Sequence, residues 1–154
     1  MVPPGGLHLT LVKVGDADMI DAEDLSACAS AAEANLAALK PFSLEIGPLA
    51  GSPSAIRFSV APWQPLVELH AALRGSITRT RPTQTPSPTA QFRPHLGIAY
   101  NNQRRPAAPV VKDVARLRHM PIVKVGIVEV KLVRLWRTEH HYKWQDRTAI
   151  ALRP

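Results

Sequence analysis

Two histidines lie in short segments whose residues alternate in character. In Leu7-His8-Leu9-Thr10-Leu11 every second residue is leucine, and in Pro94-His95-Leu96-Gly97-Ile98 the apolar Leu96 and Ile98 alternate with the histidine and a glycine. Side chains at i and i+2 of an extended strand share a face. His8 and Thr10 therefore point one way and the leucines the other, and His95 and Gly97 are paired in the same fashion. An unperturbed imidazole has a pKa of about 6.5, so near neutral pH one copy can be neutral while another is protonated. A phosphodiester calls for that combination. A neutral ring takes a proton from the attacking water or hydroxyl and a protonated ring gives one to the departing ribose oxygen, each role being worth about 10²–10⁴ in rate. The hydroxyl of Thr10 and main-chain amides suit the non-bridging oxygens as charge develops on them.

A lone histidine on a strand is ordinarily a structural or surface residue. What carries weight is that two matching segments each open a strand at corresponding places of a repeated unit. Zinc is a poor rival: the six histidines contain no H-x-x-x-H, no carboxylate ligand pattern accompanies them, and there is one cysteine. No metal or other cofactor is expected. The adjacent His140 and His141 would alternate faces if extended and read as exposed turn residues. Arg93, two residues before His95, is placed either to grip a phosphate or to brace its own loop. Tyr100, Trp136, Tyr142 and Trp144 offer ring faces on which a base can stack, core packing being the ordinary fate of each.

The elements that must position these residues follow from periodicity. Residues 7–12 read as a strand, and Asp21 to Leu39 as a helix with acidic residues in its first turn and a stop at Pro41. Phe42–Gly47 and Ile56–Ala61 read as a hairpin, followed by a helix starting near Pro65 that carries Leu66, Leu69, Ala72 and Leu73 on one face. Residues 76–91, rich in Thr, Pro, Arg and Gln, read as a loop that is either a solvated linker or a flap over a substrate. Then come a strand over Pro94–Tyr100, a polar turn from Asn101 to Arg105, a helix from about Pro106 to Arg118, a long β-branched strand over Ile122–Trp136, a turn near Glu139–His141 and a closing strand over Thr148–Leu152. A strand–helix–two-strand unit thus occurs twice. The expectation is one α+β domain over residues 1–154, with two pseudo-symmetric lobes of antiparallel strands and flanking helices around a central cleft.

Composition narrows the class. The 154 residues are 45% apolar, with a mean hydropathy of −0.06, as in a soluble globular protein. The opening Met1-Val2-Pro3-Pro4-Gly5-Gly6 has neither a basic nor an apolar leader region, so a cytoplasmic protein without a membrane association is expected. Cys28, the one cysteine, sits in an Ala/Ser-rich stretch and is expected as a small packing residue. Charge is uneven. Residues 1–70 hold three Lys/Arg against eight Asp/Glu, and residues 71–154 hold sixteen against four. A cationic C-terminal half suits an anionic partner such as a phosphodiester, although enrichment in arginine and proline can also reflect genome composition.

The segments His8-Leu9-Thr10-Leu11 and Phe92-Arg93-Pro94-His95-Leu96-Gly97-Ile98-Ala99-Tyr100 resemble the paired H-x-[T/S]-x signatures of the two-histidine (2H) phosphoesterase superfamily, in particular the bacterial 2′-5′ RNA ligase-like proteins, also described as RNA 2′,3′-cyclic phosphodiesterases. Val130–Arg137, followed by Tyr142-Lys143-Trp144 and a final strand, resembles the closing hairpin of that family. The likeness implies two lobes around a cleft, His8 and His95 as the catalytic pair, Thr10 on the phosphate, and Tyr142 at the cleft edge as the favoured stacking ring. It implies hydrolysis of a 2′,3′-cyclic phosphate or related diester, with joining of RNA ends through a 2′-5′ bond in some members. The partner implied is an RNA end or nucleotide bearing a cyclic phosphate. Two features depart from the pattern. Gly97 stands where the family has Thr or Ser, leaving only its main-chain amide for phosphate, and only six residues precede Leu7, so that an N-terminal strand is expected to be missing. Both departures support a second expectation, an RNA- or nucleotide-binding module with weakened catalysis. A third reading is an interaction protein whose basic half binds an acidic partner.

Overall fold

Asp21 accepts a hydrogen bond from the Asp24 amide at 2.7 Å and, with Glu23 and Asp24 in the first turn, opens helix α1 (Ala22–Leu36). This is seen in a computed structural model of the chain that describes residues 2–101, 106–138 and 142–153. Cys28, Ala32 and Leu36 recur at helical spacing and form the buried stripe of α1. The expected hairpin is present as β1 (Phe42–Gly51) and β2 (Ala55–Ala61), and it is longer than its apolar runs. β3 (Leu96–Tyr100) joins β2, and β4 (Val123–Ile127) joins β1, giving an antiparallel sheet in the order β3-β2-β1-β4. A second, two-stranded antiparallel sheet pairs β5 (Glu129–Arg137) with β6 (Tyr142–Ala151). The protein is a mixed α+β fold with antiparallel sheets, as the periodicity implied.

Helix α2 (Gln64–Thr80) lies beside α1, and a short α3 (Ala108–Ala115) lies over the end of β1, where Gly51 faces Val111 and Val114. Leu36, Leu44, Val60, Leu66 and Leu69 meet Ile150 and Leu152 in one apolar cluster, so α1, α2, the four-stranded sheet and β6 share a core. Among the described residues no helix is long and apolar enough to cross a membrane.

Three expectations change. The run Ile122–Trp136 is two strands in different sheets, because its first half pairs with β1 and its second with β6. At the break the Val128 carbonyl accepts the Leu152 amide at 2.8 Å, which keeps the corner satisfied. Residues 76–80, expected in the loop, are the last turns of α2. Their hydroxyls are used within the helix pair: Ser76 donates to the Ala72 carbonyl (3.0 Å) and receives Asn35 Nδ2 of α1 (2.8 Å), while Thr80 donates to the Ser76 carbonyl (2.9 Å) and lies 2.9 Å from Cys28 Sγ. Residues 7–12 join neither sheet. A cavity of about 1200 Å³ lies among residues 7–17, α1 and Glu129–Leu135 of β5, and among the described residues no backbone hydrogen bond ties residues 7–12 to a strand.

Candidate functional site

The chain reaches His8 from the other histidine's strand. The Val2 amide donates to the Ile98 carbonyl of β3 at 2.8 Å, a 3₁₀ turn over Pro4–Gly6 follows, and His8 is half-buried two residues later. His8 donates Nδ1–H to the Gly6 carbonyl at 3.0 Å. His95, also half-buried, donates Nδ1–H to the Arg93 carbonyl at 2.8 Å. In both cases the acceptor lies two residues upstream. A carbonyl only accepts, so Nδ1 carries the proton and Nε2 of a neutral ring is left with the lone pair. The sequence kinship of the two motifs is thus a kinship of tautomer as well.

Strand β6 connects the two. Tyr142 pairs with Arg137 and Trp144 with Leu135 in unbroken register, so Tyr142 and Trp144 share one face. On that face the Trp144 ring meets His8 edge-on (centroids 5.2 Å apart, planes at 67°), and Tyr142 meets Tyr100 of β3 in the same manner (6.2 Å, 79°). One face of the second sheet therefore touches the first motif directly and the second through Tyr100. Trp136 pairs with Lys143 and is turned to the opposite face, away from this cluster. Thr10 is exposed and its hydroxyl bonds no described residue. With His8 and Trp144 it lines the large cavity. That cavity is also lined by apolar residues of α1, α2 and β5 and by charged ones such as Lys13, Asp16, Lys131, Arg134 and Asp146, and it excludes His95, Gly97, Arg93 and Tyr142, so it is not the space between the two motifs.

The approach to His95 is held by α2. His70, buried on that helix, stacks on Phe92 (4.5 Å, 19°) and its Nδ1 lies 2.9 Å from Thr89 Oγ1, in a 3₁₀ turn over Thr89–Gln91. Burial, and secondarily the nearby Arg74 charge, hold the His70 pKa below its ordinary value. Arg74 itself donates Nε–H to the Pro86 carbonyl at 3.3 Å. The loop before the second motif is therefore fastened to α2 at Pro86, Thr89 and Phe92. Sequence reasoning passed over His70; its place among Leu66, Leu69 and Leu73 on the apolar face of α2 was the available signal. Arg93 turns back on its loop, donating Nη1–H to the Ala90 (2.8 Å) and Phe92 (2.9 Å) carbonyls. Its bracing role is thus on view. His140 and His141 lie outside the described residues, as do the Glu139–His141 turn and residues 102–105. Among the described residues no three His, Cys, Asp or Glu side chains converge as a metal site requires.

A family model described as the 2′-5′ RNA ligase superfamily matches residues 2–140. No curated protein matches the chain in sequence. Among solved structures, the crystal structure of TT0787 of Thermus thermophilus is similar with a TM-score of 0.73 at 18% identity, over 98% of this chain and 80% of that one. E. coli LigT complexed with 3′-AMP gives a TM-score of 0.70 at 19% identity, over 98% and 79%. E. coli LigT complexed with ATP gives 0.67 at 18%, over 98% and 78%. At these identities the likeness is one of fold.

Proposed function

The chain belongs to the 2′-5′ RNA ligase superfamily, and on that premise we propose that it is a phosphoesterase that hydrolyses a 2′,3′-cyclic phosphate or a related RNA-derived diester with His8 and His95 as its acid and base. The observation that carries this reading is the matched Nδ1 anchoring of the two rings, which leaves both Nε2 atoms for proton transfer. In hydrolysis the neutral ring removes a proton from water as its oxygen bonds to phosphorus, and the protonated ring delivers its proton to the ribose oxygen as that P–O bond breaks. The pair ends with its protons exchanged, and the reverse transfers restore it. Thr10 and the Gly97 amide serve the non-bridging oxygens. Arg93, with Nη1 committed to its loop, has Nη2 and Nε for the phosphate. Tyr142, beside Tyr100, is the stacking face for a base. The nucleotides in the E. coli LigT structures support a nucleotide-like ligand here, and the cationic C-terminal half supports an RNA end.

The test is turnover of an RNA oligonucleotide ending in a 2′,3′-cyclic phosphate by the purified protein in EDTA. Conversion to a phosphomonoester end is expected, and no conversion at any pH from 5 to 9 contradicts the reading. Salt-sensitive binding of the same oligonucleotide without conversion selects instead the nucleotide-binding module that Gly97 favours.

A further inference from the structure

The second motif lacks a side chain at Gly97, and the space where one would stand is filled. A Cβ built on Gly97 would lie 2.6 Å from the phenolic oxygen of Tyr100 and 3.1 Å from the ring carbon bearing it. Three residues along a regular strand, Tyr100 would point to the other face. A bulge changes the parity: Arg57 pairs with Gly97, but Ile56 pairs with Ala99 and Ala55 with Tyr100, leaving Ile98 unpaired. Ala55 and Arg57 share a face of β2, so their partners Tyr100 and Gly97 share a face of β3.

The same register brings a cation to this face. Arg57, directly opposite Gly97, is half-buried, and it makes no ion pair or hydrogen bond with any described residue; the Tyr100 hydroxyl makes none either. A phenol lying over Gly97 and an arginine at the register position opposite it, two residues after His95, form a donor set open to an acceptor from outside. The ring contact between Tyr100 and Tyr142 steadies the phenol.

We propose that Tyr100 Oη and the Arg57 guanidinium form a phosphate-oxygen seat over Gly97, the tyrosine supplying the hydroxyl that position 97 does not carry. Phosphate is the class of ligand because it offers several anionic oxygens at once, to both a planar fork and an O–H donor. The proposal rests on the phosphodiesterase reading for its rate effects, and stands apart from it for binding. It also gives Gly97 a role: the glycine admits the phenol, and a threonine there would push Tyr100 out of its place.

The test uses the full chain with Tyr100→Phe, Arg57→Gln, Gly97→Thr and the double variant Gly97→Thr/Tyr100→Phe. Two quantities are read: kcat/KM on the cyclic-phosphate oligonucleotide, and the Kd for adenosine 3′-monophosphate by calorimetry, with melting curves confirming folded protein. Tyr100→Phe keeps the ring and its packing, and is expected to lower kcat/KM by about 10²-fold, the scale of one lost oxyanion donor. Arg57→Gln is expected to raise Kd by about tenfold or more, the scale of a charge-assisted hydrogen bond. Gly97→Thr alone should also lose activity, and adding Tyr100→Phe should recover at least about tenfold by giving the new hydroxyl its room. Wild-type kcat/KM and Kd in both Tyr100→Phe and Arg57→Gln overturn the seat while leaving the phosphodiesterase reading intact. An inactive wild type whose nucleotide binding falls in both variants supports the seat and removes the phosphodiesterase reading. An inactive wild type that binds no nucleotide overturns both.

Discussion

His8 and His95 donate the same hydrogen bond, Nδ1–H to the carbonyl two residues upstream, at 3.0 and 2.8 Å. The acceptors come from different surroundings. Gly6 ends a 3₁₀ turn tied to β3 through Val2, and Arg93 ends a loop tied to α2 through His70 and Phe92. Two unrelated supports thus produce one ring state.

Trp144 meets His8 and Trp136 lies on the opposite face of the same sheet. Trp144→Phe, which preserves an apolar ring but changes the edge contact, is expected to lower kcat about tenfold with KM within twofold, since a misplaced general acid or base costs rate more than binding. Trp136→Phe is expected to leave both constants unchanged. Steady-state kinetics of the two variants checks this, and equal losses in both contradict the assignment of faces.

The depressed pKa of His70 gives stability a pH dependence whose sign follows from linkage. The unfolded chain binds the His70 proton near pH 6.5 and the folded protein binds it at lower pH. The contribution of His70 is therefore full above about pH 6.5 and is lost as pH falls through that value toward the folded one. Tm should decline from pH 7 to pH 5, and His70→Gln, which can still bond Thr89, should flatten that decline. Calorimetric melts of both proteins across this range are the check; parallel slopes contradict it.

Helices α1 and α2 and the β1–β2 hairpin were legible because local periodicity and capping dictate them: Asp21 before an apolar stripe, or two apolar runs about a Gly/Ser/Pro turn. The rest depends on partners far along the chain. Ser76 and Thr80 look like loop residues until Asn35 and Cys28 of α1 face them. The run Ile122–Trp136 carries no internal breaker at Val128, and only the choice between β1 and β6 divides it. The likeness of the two histidine segments was legible from alternation, although residues 7–12 form no strand and His95 lies just before β3. The bulge at Ile98 left only the isolated Gly97 as a sign, since a strand glycine often marks a bulge but does not say how the partner strand pairs, so Arg57 and the placement of Tyr100 stayed hidden.

Arg93 donates through Nη1 to two carbonyls of its own loop. Arg93→Ala is expected to lower Tm, because the Ala90 and Phe92 carbonyls lose their donor, and to raise KM about tenfold through loss of a charge-assisted phosphate contact. Melting and kinetics on one preparation separate the roles: a lower Tm with unchanged KM confines Arg93 to the loop.

In the proposed reaction His8 and His95 act in one chemical step. Its most direct measurement is the single-turnover rate of cyclic-phosphate opening, in EDTA, for the wild type, His8→Ala, His95→Ala and the double variant. Each single substitution is expected to cost about 10²–10⁴ in rate, and the double variant to be little slower than the slower single one, because residues acting as a unit are not additive. A single histidine variant that retains the wild-type rate contradicts the account.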